Sequence, residues 1–236
     1  MPRKDSVFHG LRADYGAFYL AMYPKYDYVH FQQQIIAPAL NELTQKNPEY
    51  DRLGFFLPFG HAKSTGVTVP FPAFYLGHHP DETVMCLSYN SRLVKRFGGL
   101  TRDLMKSPLY EQLFPEAQIC ADTRAKDDFA TVSGGHYYGS GFDGTINGSR
   151  VNLLIVEDSV KGPRQARSEA WRQYLRDLWT SIIDTRSQPN AAQIFVTTRW
   201  TPDDLPGWRI SEDGGWDALR DREYTDEMVL KEEQAA

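Results

Sequence analysis

Leu57-Pro58-Phe59-Gly60-His61-Ala62-Lys63-Ser64-Thr65 follows directly on a short apolar run, LGFFL at residues 53–57. The order reads as a strand, a tight loop and the start of a helix. A loop of this kind binds phosphate for three physical reasons. Backbone N–H groups at a helix N-terminus point at an anion, a lysine reaches the outer phosphates, and the next hydroxyl holds Mg²⁺. Lys63, Ser64 and Thr65 fit those roles, with Gly60, His61 and Ala62 forming the cradle. Two positions depart from the usual pattern. Ala62 stands where a glycine normally lets the backbone approach phosphate, and Leu57 stands where the first loop glycine falls. Taken alone, the spacing is also met by an apolar strand followed by a chance Gly-x-x-Lys-Ser.

A second stretch bears on the first. Val151-Asn152-Leu153-Leu154-Ile155-Val156-Glu157-Asp158 is a continuous apolar run that ends in two acids. It reads as a strand buried on both faces, as in a parallel sheet. Ligands of open α/β sheets bind at the carboxyl ends of the strands, which is where Glu157 and Asp158 fall. One acid there can help hold Mg²⁺ while its neighbour orients or activates a water. Without a phosphate loop upstream, the same run is an ordinary buried strand with a solvated acidic turn.

The remaining pattern alternates strand and helix. A helix is predicted over residues 28–45, tolerating Pro38, and a strand over 83–89. Residues 91–105 read as a helix capped by Ser91 and ended by Ser107-Pro108. Helix is also expected from Ser64, cut short or kinked by Pro70 and Pro72. Residues 121–150 are Gly-, Ser- and Tyr-rich and read as short strands and turns. Residues 163–186 read as one long helix with Trp171, Tyr174, Leu175, Leu178 and Ile182 on its apolar stripe. A last buried strand, residues 192–196, leads into Thr197-Thr198. The alternation reads as an α/β fold with a mostly parallel central sheet flanked by helices, expected to be a phosphate-loop NTPase if the loop at 57–65 binds nucleotide. Its expected divisions are an N-terminal arm (1–27), the phosphate-loop domain (28–206) and a C-terminal lid, linker remnant or disordered acidic tail (207–236).

Composition narrows the classes. The 236 residues are 41% hydrophobic and 24% charged, ordinary for a globular protein, and carry a formal charge of −5. That balance argues against a freestanding protein that wraps nucleic acid by charge alone, though it leaves room for one basic face. Cys86 and Cys120 show no metal-ligand spacing. No stretch approaches membrane-spanning length, and a reducing, cytosolic setting is expected. His78-His79, His136 and Asp203-Asp204 are read as loop, turn and cap residues.

Four stretches in this order resemble the N-terminal ATPase domain of a tailed-phage terminase large subunit, the DNA-packaging motor. They are LPFGHAKST (57–65), HHPDETVMCLSYNSRLVKRFG with RDLMKSPLYEQLFP (78–98, 102–115), NLLIVEDSVK (152–161) and FVTTRWTPDDLPG (195–207). The resemblance covers residues 28–219 and implies ATP and Mg²⁺ as cofactors. It implies that Lys63 serves phosphate, Ser64 and Glu157 the metal, and Asp158 catalysis. It also implies that Thr197 and Thr198 couple hydrolysis to motion. Phe31-Gln32-Gln33 resembles the adenine-side motif, and Arg150 lies one position off the spacing of an arginine given to a neighbouring subunit; Arg124, Arg164 and Arg167 are its alternatives. The implied partners are double-stranded DNA, the portal protein, the small terminase subunit and further copies in a homo-oligomeric ring. The implied location is the bacterial host cytoplasm, at the procapsid portal, with no membrane. Glu157-Asp158 reverses the commoner Asp-Glu order, and no nuclease domain is expected in this chain. Two other readings share these features: a helicase-like phosphate-loop ATPase, and a degenerate packaging scaffold that does not hydrolyse ATP. Arg92, Lys95, Arg96 and Arg102 share a predicted helix and form its candidate DNA face.

Overall fold

The computed structural model describes residues 4–25, 36–45, 48, 51–56, 63–122, 125–146 and 150–213. Its strands are β1 (Arg52–Phe56), β2 (Thr83–Ser88), β3 (Asp128–Ala130), β4 (His136–Gly141), β5 (Val151–Glu157) and β6 (Ser187–Thr197). Its α-helices are α1 (Lys4–Ala13), α2 (Tyr15–Met22), α3 (Ala37–Glu42), α4 (Pro70–His78), α5 (Ser91–Met105) and α6 (Pro108–Leu113). Four more follow: α7 (Pro163–Ala166), α8 (Glu169–Leu178), α9 (Asp184–Arg186) and α10 (Leu205–Asp213).

The strands form one sheet in the order β1-β6-β5-β2-β4-β3. Every neighbouring pair is parallel except β3 with β4, so the antiparallel strand lies at an edge. This is the mostly parallel α/β sheet flanked by helices that the apolar runs predicted. Leu53, Leu87, Leu153, Ile155 and Phe195 are all buried, as strands covered on both faces require. Strand β6 extends further back than residues 192–196. Its opening residues are polar and include Pro189, which has no N–H to give the ladder, and they hide the strand from an apolar count. The register with β5 accordingly jumps from Val151↔Ser187 to Leu153↔Ala192.

Helix α5 runs over the predicted residues, but its cap is Asn90, not Ser91; the Asn90 side chain accepts from Arg92 N–H at 2.9 Å. Gly98 lets this helix lie close to the chain before β3: a Cβ there would fall 2.5 Å from the Lys126 carbonyl oxygen. Pro70 and Pro72 do not end the segment after Ser64. They lie in the first turn of α4, where missing N–H groups cost little. A π-helical turn, Ser64–Thr68, precedes them and closes through Val69 N–H to the Ser64 carbonyl at 3.0 Å. Pro70 cannot bond the Gly66 carbonyl four residues back; the Tyr15 hydroxyl of α2 donates to it instead, at 2.6 Å. Tyr15 and Phe18 are fully buried against Phe71 and Phe74 of α4, so the N-terminal helices belong to the same core.

The single long helix expected over 163–186 is broken. Ser168 takes extended dihedrals and caps α8, accepting from Trp171 N–H at 3.3 Å. Thr180 and Ser181 then bond back to carbonyls of the preceding turn, a pattern that bends helices, and the chain passes through a π-turn at Trp179–Ile183. Trp179 is fully buried and stacks on Phe195, while Tyr174 of the predicted stripe is exposed. The predicted helix over 28–45 is described only from residue 36, where α3 carries Pro38 in its first turn. Among the described residues no helix is long and apolar enough to cross a membrane.

Candidate functional site

Register puts three strand ends side by side. Phe56 of β1 pairs Thr197 of β6, and Val196 of β6 pairs Glu157 of β5. Because β6 lies between β1 and β5, its exit, Thr197-Thr198, sits between the end of β1 and the two acids. The insertion of β6 is what gives the threonines contact with both sides.

The side chains meet accordingly. The Lys63 ammonium donates to Thr198 Oγ1 at 2.9 Å and is 7% exposed. Burial holds its pKa below the ordinary lysine value, while the neighbouring Asp158 and Glu157 carboxylates oppose that shift. Glu157 is 2% exposed and accepts from two hydroxyls of the π-turn, Ser64 Oγ at Oε1 and Thr68 Oγ1 at Oε2. Asp158 leaves the strand with φ +41°, in the left-handed region that aspartate tolerates better than most residues. Its backbone is held on both sides: Asp158 N–H donates to the Val196 carbonyl at 3.2 Å, and its own carbonyl accepts from Tyr89 N–H at 3.0 Å. Its Oδ1 accepts from the Thr197 hydroxyl at 3.0 Å and Thr198 N–H at 3.4 Å. Lys63, Ser64, Glu157, Asp158, Thr197 and Thr198 thus form one connected cluster.

The donor set suits a hard divalent cation. Ser64 and Glu157 offer a hydroxyl and a carboxylate oxygen that already face each other. Mg²⁺ characteristically takes only one or two protein oxygens and completes its shell with water and phosphate. Among the described residues no group of three or more His, Cys, Asp or Glu side chains gathers into a protein-only cage. Glu157 has a further trait that fits. Burial, the largest influence, pushes its carboxyl up to about 7, against the opposing hydrogen bonds of Ser64 and Thr68. The group therefore lacks a sufficient counter-charge from the protein.

That shift has a measurable consequence. Between about 4.5 and 7 the folded state keeps the Glu157 proton that the unfolded state has released. Stability must then fall as pH rises through this window, by on the order of 3 kcal/mol, with the loss complete above it. Urea unfolding at pH 5 and pH 8 is expected to show this loss in wild type and to show it much reduced in Glu157→Gln. An equal loss in both proteins would contradict the assignment.

The other sequence candidates fall elsewhere. Phe31, Gln32, Gly60, His61 and Ala62 lie outside the described residues. Thr65 is half-buried beside Ser64. Arg150 is exposed at the amino end of β5, the opposite end of that strand from Glu157; seven steps along the strand separate them by roughly 20 Å. His136 lies in β4, not in a turn, and its Nε2 is 2.7 Å from Asp128 Oδ1. His79 engages the Thr44 carbonyl and Glu82, so it is anchored where a solvated loop was expected. Asp204 is the cap of α10, and Arg199 pairs with it at 2.9 Å.

Neither a family profile nor a curated protein sequence matches the chain. Among solved structures, the crystal structure of the HK97 bacteriophage large terminase aligns over 89% of this chain with a TM-score of 0.53 and 15% identity. The chain shares the fold of part of that large terminase. It covers 47% of that terminase, about half its length. Within this terminase fold, two contributors to the cluster went unread in the sequence. Thr68 lies beyond the short loop motif, although its spacing of four from Ser64 puts both on one helical face. Ser88 of β2, buried, donates to the Asp158 carbonyl at 3.3 Å, a contact no motif announces.

Proposed function

We propose that this chain is the ATPase motor unit of a viral terminase large subunit, coupling ATP hydrolysis to movement of double-stranded DNA into a procapsid. The observation that carries the proposal is the convergence of Lys63, Ser64, Glu157, Asp158, Thr197 and Thr198 at the carboxyl ends of adjacent parallel strands. The fold likeness to a large terminase supports the same reading. ATP and Mg²⁺ are the cofactors it requires, and ATP hydrolysis is the activity it assigns to this chain.

The chemistry follows from the side chains. Lys63 would neutralise charge on the transferred phosphoryl group, and Ser64 with Glu157 would hold Mg²⁺, which would supply further neutralisation of phosphate charge. Asp158, fixed by Thr197 and Thr198, takes a proton from or orients the attacking water. Thr198 links Lys63 to the segment beyond β6, and Thr197 links Asp158 to it. Replacement of the Thr198 contact on Lys63 by phosphate is therefore felt along residues 198–204. Arg150 cannot serve its own chain's site across the sheet. In this reading it serves a neighbouring copy in a ring on the portal, where the small terminase subunit and DNA also meet the motor, in the host cytoplasm.

The DNA face can be narrowed. Arg102 turns back onto the protein, donating to the Ala125 carbonyl at 2.9 Å, and Lys95 is 3.8 Å from Asp127. Arg92 and Arg96 remain exposed on the first half of α5, which begins at the site end of β2. The test is phosphate release with and without duplex DNA across a salt series. Wild type is expected to be stimulated by DNA of any sequence, steeply less so as salt rises. Arg92→Gln/Arg96→Gln is expected to lower the salt slope by about 2 and to remove most of the stimulation. Unchanged slope and stimulation would move the DNA contact off this helix.

A further inference from the structure

The loop motif accounts for one hydroxyl on Glu157 and leaves the other unexplained. Thr68 is fully buried, four residues beyond Ser64, and donates to Glu157 Oε2 while Ser64 faces Oε1. The two hydroxyls grip the two oxygens of one carboxylate from the same π-turn. That turn is fixed at three points. Val69 N–H closes it onto the Ser64 carbonyl at 3.0 Å, the Tyr15 hydroxyl holds the Gly66 carbonyl at 2.6 Å, and the Thr101 hydroxyl holds the Val69 carbonyl at 2.9 Å. Thr68 therefore has little freedom to look elsewhere.

We propose that Thr68 is a positioning residue for Mg²⁺: it anchors Glu157 through Oε2 so that Oε1 stays turned toward Ser64 and the cation. This assignment rests on the ATPase reading above. Its physical basis is the asymmetry of a buried carboxylate. A hydrogen bond to a charged group is worth more than a neutral one, and an abandoned buried acceptor carries its full desolvation penalty. When a cation engages the Ser64 side, the Oε2 side needs a donor that does not compete for that cation. A hydroxyl on a rigid turn meets that need without adding charge. Thr65, beside Ser64 in sequence, is half-buried, whereas Thr68, four residues on, is fully buried with its hydroxyl on Glu157, so adjacency in the motif does not identify the second donor.

Thr68→Val keeps the shape and the β-branch and deletes only the donor; Thr68→Ser keeps the donor. The experiment titrates ATP into each protein calorimetrically, once with Mg²⁺ and once with excess EDTA, and follows thermal unfolding in parallel. The expected result is a Mg²⁺-dependent gain in ATP affinity that falls about tenfold or more in Thr68→Val. Thr68→Ser is expected to stay within about threefold of wild type, and metal-free ATP binding through Lys63 to be the same in all three. A residue with a merely structural role would change metal-free binding and unfolding together and leave the Mg²⁺ dependence intact. If Thr68→Val does not fold, Thr68→Ala is measured the same way with the same expectation. Wild-type Mg²⁺ dependence in the folded donor-less variant overturns this assignment and leaves the ATPase reading standing. A wild-type protein that binds no ATP under either condition overturns both.

Discussion

Asp158→Asn is expected to bind Mg·ATP within about threefold of wild type and to hydrolyse it at least about a hundredfold more slowly. The substitution is structurally quiet. Asparagine accepts the left-handed backbone at φ +41° as readily as aspartate, and its carbonyl oxygen can still accept from the Thr197 hydroxyl and Thr198 N–H. What disappears is the negative charge that draws a proton from water. Binding, which rests on Lys63, Ser64 and Glu157, should survive. Mixing this variant with Arg150→Ala tests the intersubunit arginine in the same assay. Each protein alone should be nearly inactive. The mixture should recover part of the activity, because some sites then pair an intact Asp158 with a neighbour's intact Arg150. Hydrolysis near the wild-type rate in Asp158→Asn would remove Asp158 from the catalytic role. A mixture no better than its parts would remove Arg150 from its own.

Asp204→Ala is expected to cost the most stability, about 3–5 kcal/mol by urea unfolding. The residue is 3% exposed. Its two oxygens accept from Arg199 Nε at 2.9 and 3.1 Å, from Trp200 N–H at 3.0 Å and from Gly207 N–H at 3.1 Å. One side chain thus caps α10, pairs a guanidinium and closes the turn after Thr197 and Thr198. Truncation leaves Arg199 without its carboxylate and orphans N–H groups at the helix start. The neighbouring Asp203 is the control. It is exposed and pairs with Arg172 at 3.1 Å, so Asp203→Ala should leave the unfolding midpoint close to wild type. Equal effects at the two positions would show that the cap contributes little. Because residues 199–204 follow Thr197 and Thr198 directly, Asp204→Ala should also weaken DNA stimulation more than basal hydrolysis.

How far the chain could be read in advance follows from where its information is local. Strands β2 and β5 were legible because buried parallel strands are written as unbroken apolar runs. The acids at the end of β5 were legible because that position is where α/β sheets work. Lys63, Ser64, Glu157, Asp158, Thr197 and Thr198 were each visible in short motifs, and the structure brings all six together. Strand order was not visible. Nothing in residues 187–197 says that they insert between β1 and β5, yet that insertion is what lets Thr198 touch Lys63 and Thr197 touch Asp158. The breaks at Ser168 and at Trp179–Ile183 were also hidden, since hydroxyl side chains that compete for backbone groups barely disturb a hydrophobic stripe. Pro70 and Pro72 misled for the opposite reason. They are strong local signals, and their usual effect is cancelled by a π-turn and by the hydroxyl of Tyr15, distant in sequence.

The central claim is that the cluster around Lys63 is a Mg·ATP site, and calorimetric titration of Mg·ATP into wild type and Lys63→Ala tests it most directly. The account predicts saturable binding below millimolar nucleotide in wild type and none in Lys63→Ala, with circular dichroism showing both proteins folded. Absence of binding by wild type at millimolar Mg·ATP, or undiminished binding by Lys63→Ala, would contradict it.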